Sequence, residues 1–227
     1  MTKKLSPGRR ARLAAAGPDD LIRIWSIQDL AAQAAAEVRG YWSIDEGWYE
    51  SQGLDEYGHP NALHLPQYGY MREVMTERVP GYTGDYPIWG WLQRPNMRRW
   101  AYLGHDTVML VADVPRSRMV ISDYDVWHTP LNYGFCADTE AEDYGFDDLY
   151  PGMAHQGRIT PEMRATWSRV FDLGPFTDPA ILAWRGQSDR WQACIDRVYP
   201  SEVVRVTPVT GRLGRRGSRY YYGSGRG

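Results

Sequence analysis

The chain has 227 residues, 43% hydrophobic and 24% charged, a composition typical of a soluble globular protein that can bury one large core or two small ones. No apolar run approaches the roughly 20 residues of a membrane helix, so no membrane role is expected. The stretch Leu13–Ala16 behind the basic N-terminus is too short for the apolar core of a secretory signal, and Cys136 and Cys194 form no CxxC pair, so reduced thiols and a cytoplasmic location are expected.

A net charge of −2 conceals an asymmetry. Residues 1–12 and 205–227 hold 11 of the 26 basic residues and no acid, which leaves 15 bases against 28 acids in 13–204, a net −13. Basic ends carrying Gly and aromatic residues, such as Arg215–Arg226, suit phosphate neutralisation and base stacking. A nucleic acid or a protein is therefore the expected partner of these tails; the plainer alternative is a solubilising tail that contacts the acidic body. Aromatic usage is also skewed, with 10 Trp and 16 Tyr against 4 Phe. Trp and Tyr pair an apolar face with a hydrogen-bonding edge, which serves a stacking pocket and an ordinary core equally well.

In chain order, residues 1–18 read as a flexible basic leader, 19–210 as a single α+β domain and 211–227 as a disordered Arg/Gly/Tyr tail. Leu21–Ile27 alternates and reads as a strand. Asp29 then caps an Ala-rich helix that runs to Val38 and stops at Gly40. Leu65–Val79 is expected to be helical, with Tyr68, Met71, Arg72, Met75 and Val79 on one face. Tyr86–Trp91 is a short extended segment. Thr107–Val114 and Met119–Ser122 read as a hairpin-like pair of apolar strands around a Pro-containing turn. The acidic stretch Asp138–Asp148 lacks the register of an EF-hand and reads as a solvated loop. Thr160-Pro161 opens another helix with Met163, Trp167, Val170 and Phe171 apolar. Trp191–Val198 and Val203–Val209 close the chain as strands, so the fold expected is α+β, a mixed or mostly antiparallel sheet with flanking helices.

The second strand of the central pair runs into Asp123, Tyr124, Asp125, Trp127, His128 and Asn132, a cluster that reads as a binding or reactive site. On an extended segment Asp123 and Asp125 would point the same way and share a proton or a cation; alternatively they cap a turn through the backbone. His128 is either a base beside these carboxylates or a structural imidazole. His59, His64, His105 and His155 lack ligand spacing, so no metal is expected. No Gly-x-Ser-x-Gly elbow occurs, and Gly211–Gly217 has no helix behind it to make it a dinucleotide loop.

The order of segments Ile24–Gln28, Tyr86–Trp91, Asp113-Val-Pro115, Val120–His128 with Asn132, Trp167–Asp172, Trp191–Ala193 and Val203–Val206 resembles the bacterial and phage family called domain of unknown function 3841, over residues 22–210. That resemblance implies a domain and no particular activity.

At the level of fold, a strand followed by a helix closed by Gly, with a polar residue on a late strand, is similar to ADP-ribosyltransferase-like domains. The similarity implies a cleft between two small sheets that holds NAD and an enzyme that acts on a macromolecular target. Trp25, Gln28, Tyr86, Trp89, Trp91, Trp127 and Asn132 would contact the nucleotide, and His128, Gln192, Asp123 and Asp125 would supply the chemistry. Gln192 is followed by Ala193-Cys194, not by the Gln-x-Glu pair of such enzymes, and the first strand offers only Arg23 as a basic residue. From a different class comes a non-catalytic phage or bacterial accessory protein that binds nucleic acid or a protein. Sugar recognition by a Trp-rich surface is a third expectation.

Overall fold

A computed structural model describes residues 4–44, 65–96, 107–152 and 158–209. The expectations for the tail 211–227 and for His59, His64, His105 and His155 lie outside these residues.

Strand β1 (Leu21–Asp29) forms because its apolar residues recur at every second position, which places Ile22, Ile24 and Ser26 on a buried face and Leu21 and Arg23 on an open one. It pairs along its whole length with β3 (Thr107–Pro115), from Leu21 opposite Pro115 to Asp29 opposite Thr107. The short strands β2 (Ile88–Trp91), β4 (Met119–Asp123) and β5 (Trp191–Ile195), with β6 (Val203–Pro208) at the edge, complete a six-stranded sheet in the order β4-β5-β2-β1-β3-β6. Every described pairing is antiparallel, so the fold is α+β.

The expected hairpin-like pair is absent: β3 and β4 stand four places apart in the sheet and do not pair. A short 3-10 turn, Arg116–Arg118, joins them. In a flat sheet the two strands would lie ~19 Å apart, whereas the four residues from Pro115 to Met119 span at most ~14 Å. The sheet must therefore curl. The turn is held away from a hairpin by other partners, since Arg116 N–H donates to the Asp20 carbonyl at 2.9 Å and Ser117 N–H to that of Pro18 at 2.9 Å.

The narrowest joint in the sheet is that between β1 and β2, which share one described register pair, Trp25 opposite Trp91. Gly90 permits the close crossing there, because a Cβ on it would sit 3.2 Å from both Cβ and Cδ1 of Ile24. One face of both half-sheets contributes to a single core that includes Ile24, Ile88, Leu110, Ala193 and Ile195. On the other face, the β4-β5-β2 half is covered by helices that bring Met71, Met75, Trp127 and Trp167 onto Val120 and Cys194.

Helix α1 (Pro7–Ala14) lies inside the leader that was expected to be flexible, capped by Ser6 and anchored by Leu5 and Leu13 in the core. Helix α2 (Leu30–Arg39) ends at Gly40, whose φ of 82° is the left-handed conformation glycine adopts without strain. Helix α3 (Leu65–Arg78) buries Met71 and Met75 as their spacing predicts. Helix α4 (Tyr124–Leu131) follows β4 directly. Helix α5 (Glu140–Leu149) replaces the loop expected for the acidic stretch: Thr139 caps it, its acids crowd the first turn where the helix dipole favours them, and Glu142 and Asp138 pair with Arg169. Helix α6 (Pro161–Thr166) has the expected Thr160 cap and leads into a 3-10 turn that buries Trp167 and Val170. Helix α7 (Pro179–Trp184) is short and capped by Asp178.

Candidate functional site

The seam between the two half-sheets opens into a cleft of about 390 Å³, which takes residues from the end of β1, from β2 and β5, and from α3 and α4. Gln28 and Asp29 come from β1, Trp89, Gly90 and Trp91 from β2, Gln192 from β5, and Tyr124, Trp127 and His128 from α4.

Local geometry fixes the orientation of several of these groups. Ser26 Oγ donates to the Trp89 carbonyl at 2.6 Å, and a carbonyl only accepts. The hydroxyl therefore has only lone pairs left for Gln28, which presents Nε2 to it at 2.7 Å. Gln28 Oε1 remains an acceptor. Gln192, 5% exposed, donates Nε2 to Ser122 Oγ at 3.3 Å. His128 Nδ1 lies 2.7 Å from the Tyr124 carbonyl, so Nδ1 carries a proton and the neutral ring has Nε2 as its basic nitrogen.

The walls are aromatic. Trp89 and Trp127 lie 5.1 Å apart between ring centroids, Tyr68 meets Trp89 edge-on at 6.0 Å, and Tyr124 meets His128 at 4.6 Å. Tyr86 is buried one layer behind, edge-on to Tyr68 at 6.5 Å, and does not itself line the cleft.

Other nominated residues sit elsewhere. Asp123 is buried and caps α4, with Oδ1 accepting from the N–H groups of Asp125 at 2.8 Å and Val126 at 3.0 Å. Helix begins at Tyr124, so the two carboxylates do not project together from an extended segment; Asp125 turns to Arg190 at 2.9 Å. Asn132 is exposed at the end of α4 and donates to the His128 carbonyl at 2.7 Å. Trp25 lies outside the cleft, across the seam from Trp91.

Sequence reasoning passed over Asp29, which it read as a helix cap. Asp29 occupies the N-cap position of α2, yet its side chain makes no capping hydrogen bond. It is half-buried and is the one carboxylate among the described residues that line the cleft. No lysine or arginine is among them. The thiols contribute nothing here: burial pushes Cys136 up to about 12 and raises Cys194 well above its ordinary value. Among the described residues no cluster of His, Cys, Asp and Glu forms a metal site, and no helix is long and apolar enough to cross a membrane.

Fold and cleft together define an α+β domain whose curled antiparallel sheet carries an aromatic-walled site at its seam. Residues 23–199 match the family described as domain of unknown function (DUF3841), and the chain belongs to that family. No curated protein and no solved structure matches it.

Proposed function

We propose that the cleft takes NAD as a consumed substrate and that the protein is an ADP-ribosyltransferase-like enzyme with a macromolecular target. Support comes from one convergence: Gln28, Trp89, Trp91, Trp127, His128 and Gln192, nominated from sequence for this chemistry, line a single cleft at the seam between the two halves of one six-stranded sheet. The indole faces suit a planar nicotinamide ring, and the amide oxygens of Gln28 and Gln192 suit the N–H donors of its carboxamide. In the transfer, the bond from ribose to the nicotinamide nitrogen breaks and both electrons leave with nicotinamide, which discharges its ring. Asp29 would stabilise the positive charge that develops on the ribose. A nucleophile of the target then adds to the ribose carbon and gives its proton to Nε2 of His128.

One observation favours a second reading. The late-strand position is held by Gln192, an amide, where a carboxylate would stabilise a developing cation far better. A nucleotide-binding accessory protein without transfer activity would tolerate this. Thermal melting with millimolar NAD, followed by assay of free nicotinamide, separates the cases. A raised Tm with nicotinamide release supports the enzyme. A raised Tm without release supports the binding protein, and an unmoved Tm overturns both.

A further inference from the structure

The face of the sheet that carries the cleft continues past the seam. Residues directly opposite each other in antiparallel strands share a face. Ser122 pairs with Gln192, Gln192 with Trp91, Trp91 with Trp25, Trp25 with Val111, and Val111 with Arg205. One row thus crosses all six strands, from the cleft at Gln192 to Arg205 on the far edge.

Around the far end of that row lies a second pocket of about 240 Å³, with Trp25, Met109 and Val209 among its lining residues and Arg94 and Arg205 beside them. Met109 and Val209 are buried and Trp25 is half-buried, which makes an apolar floor with one indole in it. Among the described residues, Arg94 and Arg205 are exposed and have no hydrogen bond or ion pair, and no acid lines the pocket. Arg9 adds a third cation, its guanidinium 5.9 Å from the Trp25 ring centroid and held there by two donations to the Leu92 carbonyl. Arg94 belongs to the 13–204 segment, whose net charge is −13, whereas Arg9 and Arg205 come from the two basic ends, so the pocket gathers cations from all three parts of the chain. Val209, part of the pocket, leads directly into residues 210–227, which hold five more arginines, three consecutive tyrosines and no acid.

We propose that this pocket binds single-stranded nucleic acid. One base stacks against Trp25, and its flanking phosphates lie between Arg94 and Arg205. A duplex would present phosphates but no free base face, so it would leave the indole and the apolar floor without a partner. The site is distinct from the seam cleft and stands whether or not that cleft takes NAD.

The test is fluorescence anisotropy of the full chain with a labelled oligothymidylate of about 12 nucleotides, within the usual span of single-strand sites. Arg94→Ala with Arg205→Ala should weaken binding at least about tenfold and make the slope of log affinity against log salt shallower by about 1.4, since each phosphate contact on a single strand contributes about 0.7. Both side chains are exposed and unpaired, so the double variant should melt like the parent. Trp25→Phe, which keeps a ring, should bind more nearly like the parent than Trp25→Leu does. The proposal is overturned if the parent fails to bind, if a duplex of equal length binds as tightly, or if the double arginine variant binds unchanged.

Discussion

Trp25 and Trp91 face each other across β1 and β2, and theirs is the only described register pair that joins the two halves of the sheet. The cleft begins at Trp91 and the arginine-flanked pocket at Trp25, so a single indole pair forms the boundary between them. Whatever holds that seam in shape also holds the site, and the residue between the two cleft tryptophans of β2 is Gly90.

Gly90→Ala should therefore destabilise the protein. Its new methyl would meet Ile24 at 3.2 Å, tighter than ordinary contact, and Ile24 is fully buried in the shared core with nowhere to yield. Overpacking of this kind costs roughly 1–3 kcal/mol. By contrast, Gly145 sits inside α5 with nothing near its added Cβ, so Gly145→Ala should stabilise by about 0.4–1 kcal/mol. Urea denaturation of the two variants reads both signs.

The aspartates beside His128 should separate sharply. Asp123→Ala removes the acceptor for two backbone N–H groups at the start of α4 and should cost about 1–2 kcal/mol, while Asp123→Asn, which keeps an oxygen in place, should recover most of it. Asp125 pairs with Arg190 but its side chain is 53% exposed, so Asp125→Asn should change stability by less than about 1 kcal/mol. A large loss for Asp125→Asn, with Asp123→Ala silent, would reverse their roles.

Acid stability should depend on Glu142. Burial pushes its carboxyl up, but the hydrogen bond from Arg169, the Asp138 N–H and the Arg169 charge outweigh burial and leave it below the usual carboxylate value. A folded pKa below the unfolded one contributes stability above the unfolded value, which is lost as pH falls through the folded one. Melting curves below pH 5 should thus fall less steeply for Glu142→Gln than for the parent. Asp143 has the opposite sign, raised by burial and by Asp147, so Asp143→Asn should melt higher at neutral pH and lose that advantage on acidification.

Much of this architecture is legible in the chain. The period of two at Ile22 and Ile24, the Gly40 stop and the Thr160-Pro161 start all describe local chemistry, and the structure has each of them. Pairing between distant strands is not local, which is why the adjacent strands β3 and β4 read as a hairpin although their partners are β1, β6 and β5. Helix α5 was hidden by its charge: dense carboxylates read as solvated, yet in a first turn they favour helix. Ser6-Pro7 was a readable helix start within a segment read as a flexible leader. That leader is also pinned, with Lys4 on Asp189 and Arg9 and Arg10 on backbone carbonyls, so most of its described charge faces the protein itself. Six of the residues nominated from sequence line one cleft, because Trp, His and Gln draw attention. Asp29 was not nominated, because a helix-capping aspartate and an unengaged one have the same sequence signature.

Asp29→Asn removes the cleft's described carboxylate without removing a cap bond, so the melting temperature in the absence of ligand should stay within a degree or two of the parent, on the order of the shift a few tenths of a kcal/mol produces. The rise in Tm caused by NAD should shrink or vanish, because the cationic nicotinamide loses its counter-charge. Calorimetric titration would show the same loss as weaker binding.

The central claim is that the seam cleft is the nucleotide site, and indole resonances test it most directly. With tryptophan labelled at Nε1 and signals assigned by single Trp→Phe substitutions, titration with NAD should move the resonances of Trp89, Trp91 and Trp127, which line the cleft, and leave those of Trp184 and Trp167 in place. If millimolar NAD moves none of the three, or moves only Trp184, the cleft is not the site and the proposed function is wrong.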